Sequence, residues 1–159
     1  MNIDIICVGS IKEKYYIDAI KEYSKRLISY TDINIIEVDE YKLPNNPSNA
    51  QINDGLEKER EIIESKIKDR SYIIALAIEG KQISSEDLSK KIQDITIEGY
   101  SNITFLIGSS YGMSQKLKNR ANLKLSFSKM TFPHQLIRVV LTEQIYRAFK
   151  IMRNEPYHK

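Results

Sequence analysis

Residues 72–78 read YIIALAI, an unbroken apolar run that Glu79, Gly80 and Lys81 bring to an end. A strand exposed on one side would alternate apolar and polar residues, so this run predicts a strand covered on both faces, as in a parallel sheet. Working outward, Ile3–Val8, Ile33–Val38 and Ile103–Ile107 are further strands, and Leu123, Leu125 and Phe127 alternate as a fifth. The segments between them have helical spacing. Tyr16, Ile20, Tyr23, Leu27 and Tyr30 share one inward face, with Ser10 and Glu13 set as a capping box. Ile52, Leu56, Ile63 and Ile67 mark a second helix that Ser48 and Gln51 can cap, after a long Pro- and Asn-rich loop at 39–53. Ser84 or Ser85 caps a third carrying Leu88, Ile92 and Ile95, a short basic helix starts near Ser114, and Pro133 stands at the start of the last. Strand and helix alternate throughout, so the expected fold is α/β around a mainly parallel sheet.

With 159 residues, 42% hydrophobic and 28% charged, residues 1–159 are expected to form one domain that buries roughly 70% of its unfolded surface. The N-terminus MNIDIICVGS has no basic region and no small-residue cleavage site, and no apolar run approaches the roughly 20 residues of a membrane span. The expected location is the cytoplasm, with no membrane partner. Cys7 lies inside an apolar strand and reads as a small buried hydrophobe. Charge is divided unevenly. Residues 114–159 hold ten Lys or Arg against two acids, whereas residues 1–113 hold fourteen against nineteen. A segment near +8 on a body near −5 is the footprint of a polyanion-binding face or, equally, of a solvated basic surface.

Ligands of open α/β sheets bind beyond the carboxyl ends of the strands, which points to the loops after Ile78, Ile107 and Phe127. The first two carry Gly80, Gly108 and Gly112. The third, residues 126–133, interleaves Phe127, Met130 and Phe132 with Ser, Lys and Thr, a half-apolar wall suited to a ligand. In the last helix Ile137, Leu141, Ala148, Ile151 and Met152 form one stripe, and Leu136, Val139 and Val140 lie on another side. That surplus fits burial against a second copy, with tight burial inside one chain as the alternative. Arg138 at the stripe's edge can reach a ligand anion or an ordinary ion-pair partner. The two histidines, His134 and His158, make no metal cage. Tyr157 and His158 follow Pro156, where a frayed end is the default and an aromatic, basic group for an unpaired base the alternative.

IGSSYG at 107–112, SFSKMTFPH at 126–134, LIRVVLTEQIYRAFKIM at 136–152 and NEPYHK at 154–159 resemble the ribosomal RNA large subunit methyltransferase H family, and the similarity spans the chain. The resemblance implies a SPOUT fold with helices on both faces and a C-terminal trefoil knot. It also implies a homodimer through the C-terminal helix, and S-adenosyl-L-methionine-dependent methylation of N3 of a pseudouridine in helix 69 of 23S rRNA within the assembled ribosome. Carried over, the cofactor residues are Leu76, Gly108, Phe127, Ser128, Lys129, Met130, Thr131 and Phe132, and those near the substrate are His134, Arg138, Tyr157 and His158. Arg138 is then expected to stabilise the anion formed at N3, and His158, or else His134, to accept the proton. Two positions depart from the family pattern: Ser109 where a second glycine is usual, strained if its φ is positive, and Ala77 where an acid is usual. The rival readings are an RNA-binding protein without the cofactor and a tRNA ribose methyltransferase.

Overall fold

The apolar 72–78 run lies within the longest strand of the molecule. A computed structural model describes residues 1–159, in the order β1 (Asn2–Val8), α1 (Lys14–Leu27), β2 (Asp32–Val38), α2 (Asn49–Lys66), β3 (Ser71–Lys81), α3 (Ser85–Ile97), β4 (Asn102–Ile107), α4 (Gln115–Arg120), β5 (Leu123–Leu125) and α5 (His134–Met152). All strand pairs are parallel and the sheet order is β2-β1-β4-β3-β5. The connections through α1 and α3 step across the sheet in one direction and those through α2 and α4 in the other. With right-handed crossovers, opposite steps put helices on opposite faces.

The two cores follow that division. Ile3, Ile5, Cys7, Tyr72, Ile74, Ile103, Phe105 and Ile107 meet Leu27 of α1, Leu88, Ile92 and Ile95 of α3, and Leu141 and Ile145 of α5. On the other face Ile6, Val8, Ile73, Ala75 and Leu106 meet Ile63 of α2 and Leu117 of α4. Strand side chains alternate between the faces, so a continuously apolar strand supplies both cores. Phe105, fully buried, has Ile5 and Ile74 as its neighbours in register, and each such side chain contributes about 1.5–3 kcal/mol. Burial of Cys7 pushes its thiol up to about 12, in keeping with a packing role. No helix is long and apolar enough to cross a membrane.

Local signals succeed where nothing competes with them. The Ser48–Gln51 capping box forms in both directions, and Ser84, not Ser85, caps α3 in a reciprocal pair with Asp87. The expected Ser10–Glu13 box does not form: α1 starts at Lys14, and Glu13 occupies the capping position without a side-chain bond. The preceding turn is instead tied to β2, where the Ile11 N–H donates to Glu37 Oε1 at 3.1 Å. β3 runs three residues past the apolar stretch because, after a register shift beyond Leu76, Lys81 pairs with Leu125. Gly80 permits this, since a Cβ there would lie 2.7–2.8 Å from the Lys124 and Leu125 backbone. β5 ends at Leu125, leaving Phe127 in the following loop.

One carboxyl group is buried in α2. Glu59 is 5% exposed, with Oε2 unpaired. Burial first, then the nearby Glu40 charge, push it up to about 7, against hydrogen bonds from the Ser109 hydroxyl and the Tyr41 backbone. The folded state therefore holds this proton more tightly than the unfolded chain does. The associated stability is fully present below about pH 4.5 and is lost as pH rises through about 7. Between pH 5 and pH 8 the loss should be about 2.5 kcal/mol, and Glu59→Gln should remove that part of the slope. Urea unfolding of both proteins at each pH checks this, and equal slopes would contradict it.

Candidate active site

The carboxyl ends of β3, β4 and β5 open into a cavity of about 670 Å³, within the range of small-molecule sites. Two of its walls are loops singled out in the sequence, residues 107–113 and 125–133; the third, residues 76–79, is still strand β3, and α4 contributes Lys118 and α5 His134 and Ile137. Leu76, Gly108, Phe127, Ser128, Met130, Thr131 and Phe132 all line it. Lys129 does not, and is exposed. Around it the loop turns on two serines: the Ser126 hydroxyl donates to the Ser128 carbonyl at 3.0 Å, and the Met130 N–H donates to Ser128 Oγ at 2.9 Å.

The middle wall is a tight turn in which Ser109 and Gly112 exchange backbone hydrogen bonds of 2.9 and 2.8 Å. A Cβ on Gly108 would fall 2.2 Å from the Gly112 carbonyl oxygen, so only glycine lets the turn close. Ser109 is not among the residues with positive φ, so the strain that its replacement of a glycine suggested is absent. Its Oγ instead accepts from the Tyr111 N–H at 3.3 Å.

Arg138 is fully buried. Its Nη2 donates to the carbonyls of Val8 and Gly9, both at 2.8 Å, and its Nη1 to Glu37 Oε1 at 3.1 Å. The internal ion pair is thus the arrangement found, and the guanidinium is held away from a direct role on a ligand. One turn earlier, His134 lines the cavity, and its Nε2 lies 3.9 Å from where a Cβ on Gly9 would stand. Arg138 therefore fixes the end of β1 against which His134 rests. Glu37, which receives both Arg138 and the Ile11 N–H, was not marked by any sequence signal beyond being a charge within a strand.

The C-terminal tail folds back onto its own helices. Tyr157 donates to Glu143 Oε1 at 2.9 Å, stacks edge-on against Tyr146 at 4.9 Å, and lies beneath the Arg147 guanidinium at 4.7 Å. Burial, then the Glu143 carboxylate, holds the Tyr157 phenol well above its usual range. His158 Nε2 is 2.7 Å from Glu86 Oε1, and its Nδ1 is 3.3 Å from Arg147 Nη1. Glu155 accepts from Lys150 and, at 2.5 Å, from the Tyr30 hydroxyl. Arg147 is thirteen residues beyond His134 on α5, roughly 20 Å along the helix. One protomer thus brings His134, but neither Tyr157 nor His158, to its cavity.

A parallel α/β sheet whose strand ends form one cavity, with residues 126–133 drawn back across them to the last helix, defines the class: the family model described as a predicted SPOUT methyltransferase matches residues 1–158. Proteins from Streptococcus uberis and Clostridium perfringens, each named ribosomal RNA large subunit methyltransferase H, are 55% identical over 159 residues, covering all of both chains. The chain belongs to that family of SPOUT methyltransferases. A solved structure titled as a probable methylase family protein from Haemophilus influenzae shares the fold at a TM-score of 0.54 and 13% identity, over 99% of this chain and 70% of its own.

The Arg138 clamp has a measurable consequence. Arg138→Met keeps the bulk of the side chain but leaves two strand-end carbonyls and Glu37 without their donor. It should cost about 3 kcal/mol in chemical denaturation. A loss below about 1 kcal/mol would show that the clamp does not hold the strand ends.

Proposed function

We propose that this methyltransferase takes its methyl group from S-adenosyl-L-methionine and places it on N3 of a pseudouridine in helix 69 of 23S rRNA, within the assembled ribosome and as a cytoplasmic homodimer. The observation that carries the reading is that the IGSSYG and SFSKMTFPH motifs both line the cavity, in a chain 55% identical over full length to proteins named ribosomal RNA large subunit methyltransferase H. The cavity fits the cofactor in chemistry as well as size. Leu76, Ile107, Phe127, Met130 and Ile137 offer apolar contact to an adenine ring, and the irregular backbone of the loops offers polar groups for its edge. When bound, the cofactor supplies a methyl group already activated by its sulfonium.

The protein's share is alignment and removal of the N3 proton. His134, which lines the cavity, would orient the base or accept that proton. Arg138 serves as a positioning residue through Gly9. The remaining pair, Tyr157 and His158, would act across a dimer. Leu136, Val139 and Val140 are only partly buried by the protomer's own packing, and they form an apolar strip on α5 suited to a second copy. Such a dimer brings one subunit's tail toward the other's cavity, where His158 is the preferred proton acceptor. The SPOUT knot would be threaded by residues 126–133, which carry the chain from β5 at the sheet edge back to the end of β1.

Incubation with ribosomes and methyl-labelled cofactor, followed by mass spectrometry of 23S rRNA fragments, should find one new methylpseudouridine in helix 69. Cofactor binding without labelled 23S rRNA would sink the substrate assignment. The cross-subunit tail has its own check in mixed dimers of a His158→Ala chain and an Ala77→Trp chain, the latter blocking its own cavity wall. Each homodimer should be inactive, and the mixed dimer should regain one working site. No recovery would mean that the tail serves its own subunit.

A further inference from the structure

Among the residues lining the cavity only two carry permanent opposite charges, and they are paired with one another: Lys118 Nζ donates to Glu79 Oε1 at 2.7 Å. They come from separate elements. Glu79 stands in β3 beyond the apolar run, and Lys118 in the short helix α4. The hydrogen bond from Lys118 holds the Glu79 carboxyl below the usual carboxylate range, so Glu79 stands here as a carboxylate. Structural stability is a poor explanation of it. The Glu79 side chain is 51% exposed, and ion pairs with an open partner contribute about 0–1 kcal/mol.

The pair has capacity to spare. A carboxylate has acceptor sites beyond the one used, and an ammonium has three protons. A lone anion arriving here meets Glu79, a lone cation meets Lys118, and a neutral ring gains little from either. A zwitterion laid antiparallel to the pair satisfies both. We infer that Glu79 and Lys118 form the subsite for the α-amino-acid end of the methyl donor, Glu79 receiving its ammonium and Lys118 its carboxylate. This rests on the reading of the cavity as the S-adenosyl-L-methionine site and assigns the apolar wall to the nucleoside and the charged rim to the amino acid. It also names a carboxylate on the β3 wall, where Ala77 supplies none.

Calorimetric titration of the wild type, Glu79→Gln and Lys118→Met with three ligands tests the assignment. S-adenosylmethionine carries both the zwitterion and the sulfonium, S-adenosylhomocysteine the zwitterion alone, and methylthioadenosine neither. Each substitution should weaken the first two by about tenfold and leave methylthioadenosine within about twofold; that unchanged binding also shows that the variant is folded. Weakening confined to S-adenosylmethionine would assign the pair to the sulfonium and overturn the inference. So would equal weakening of all three, or none. If the wild type binds none of the three, the reading of the cavity itself fails, and the subsite with it.

Discussion

The buried guanidinium of Arg138 is the contact on which the rest of the arrangement turns. It joins the last helix to the carbonyls that end the first strand and to a carboxylate on the second, linking residues more than a hundred positions apart. A charge with no solvent exposure persists only when its donors are used, and three hydrogen bonds use most of what it has, Nε alone being unpartnered. Because α5 is held by its first turns, His134 is set beside Gly9, and residues 126–133 must cross the strand ends to reach it. The third wall of the cavity is therefore a consequence of the clamp as much as of its own sequence.

The same crossing makes steric demands on the other walls. Gly108 lets the 108–112 turn close upon itself, and Gly80 lets β3 lie against β5 while its strand continues past the register shift. These glycines serve close backbone approach, and so the cavity depends on positions with no side chain at all. α5 answers the question raised by its broad apolar surface in a divided way. Ile137, Leu141, Ile145, Ala148 and Phe149 are consumed by the sheet, α1 and α3 within one protomer, while Leu136, Val139 and Val140 are only partly covered. The helix is both a core element and the carrier of an incompletely buried strip.

What could be read from the sequence was what is decided locally or by periodicity. YIIALAI reported a two-sided strand because its surroundings enter only as a requirement for apolar contact. The Ser48 cap was legible because both partners lie within one turn. The Ser10 cap was not, because Glu37 of the neighbouring strand ties down the intervening turn. The strand ends that bound the cavity were legible, though the first wall is strand rather than loop, whereas the partners of Arg138 were hidden because its acceptors are two backbone carbonyls, which every residue has, and one glutamate among many. Lys129 came with the cofactor loop through the family resemblance, and the serine turn around it sets it outside the lining.

Charge teaches the sharpest version of this lesson. The basic final segment invited a polyanion reading, yet six of its ten cations have acidic partners: Lys116 with Glu57, Lys118 with Glu79, Arg120 with Glu64, Arg138 with Glu37, Arg147 with Glu143 and Lys150 with Glu155. Four of those acids belong to the acidic body, so the imbalance between the two parts of the chain is largely resolved by their pairing within the fold. Lys124, Lys129, Arg153 and Lys159 are left without acidic partners. Of these, Arg153 is itself engaged, its guanidinium lying 4.6 Å over the Tyr30 ring and donating to the Ser29 carbonyl. Net charge counted along the chain is therefore a poor guide to the charge that the folded surface offers a polyanion.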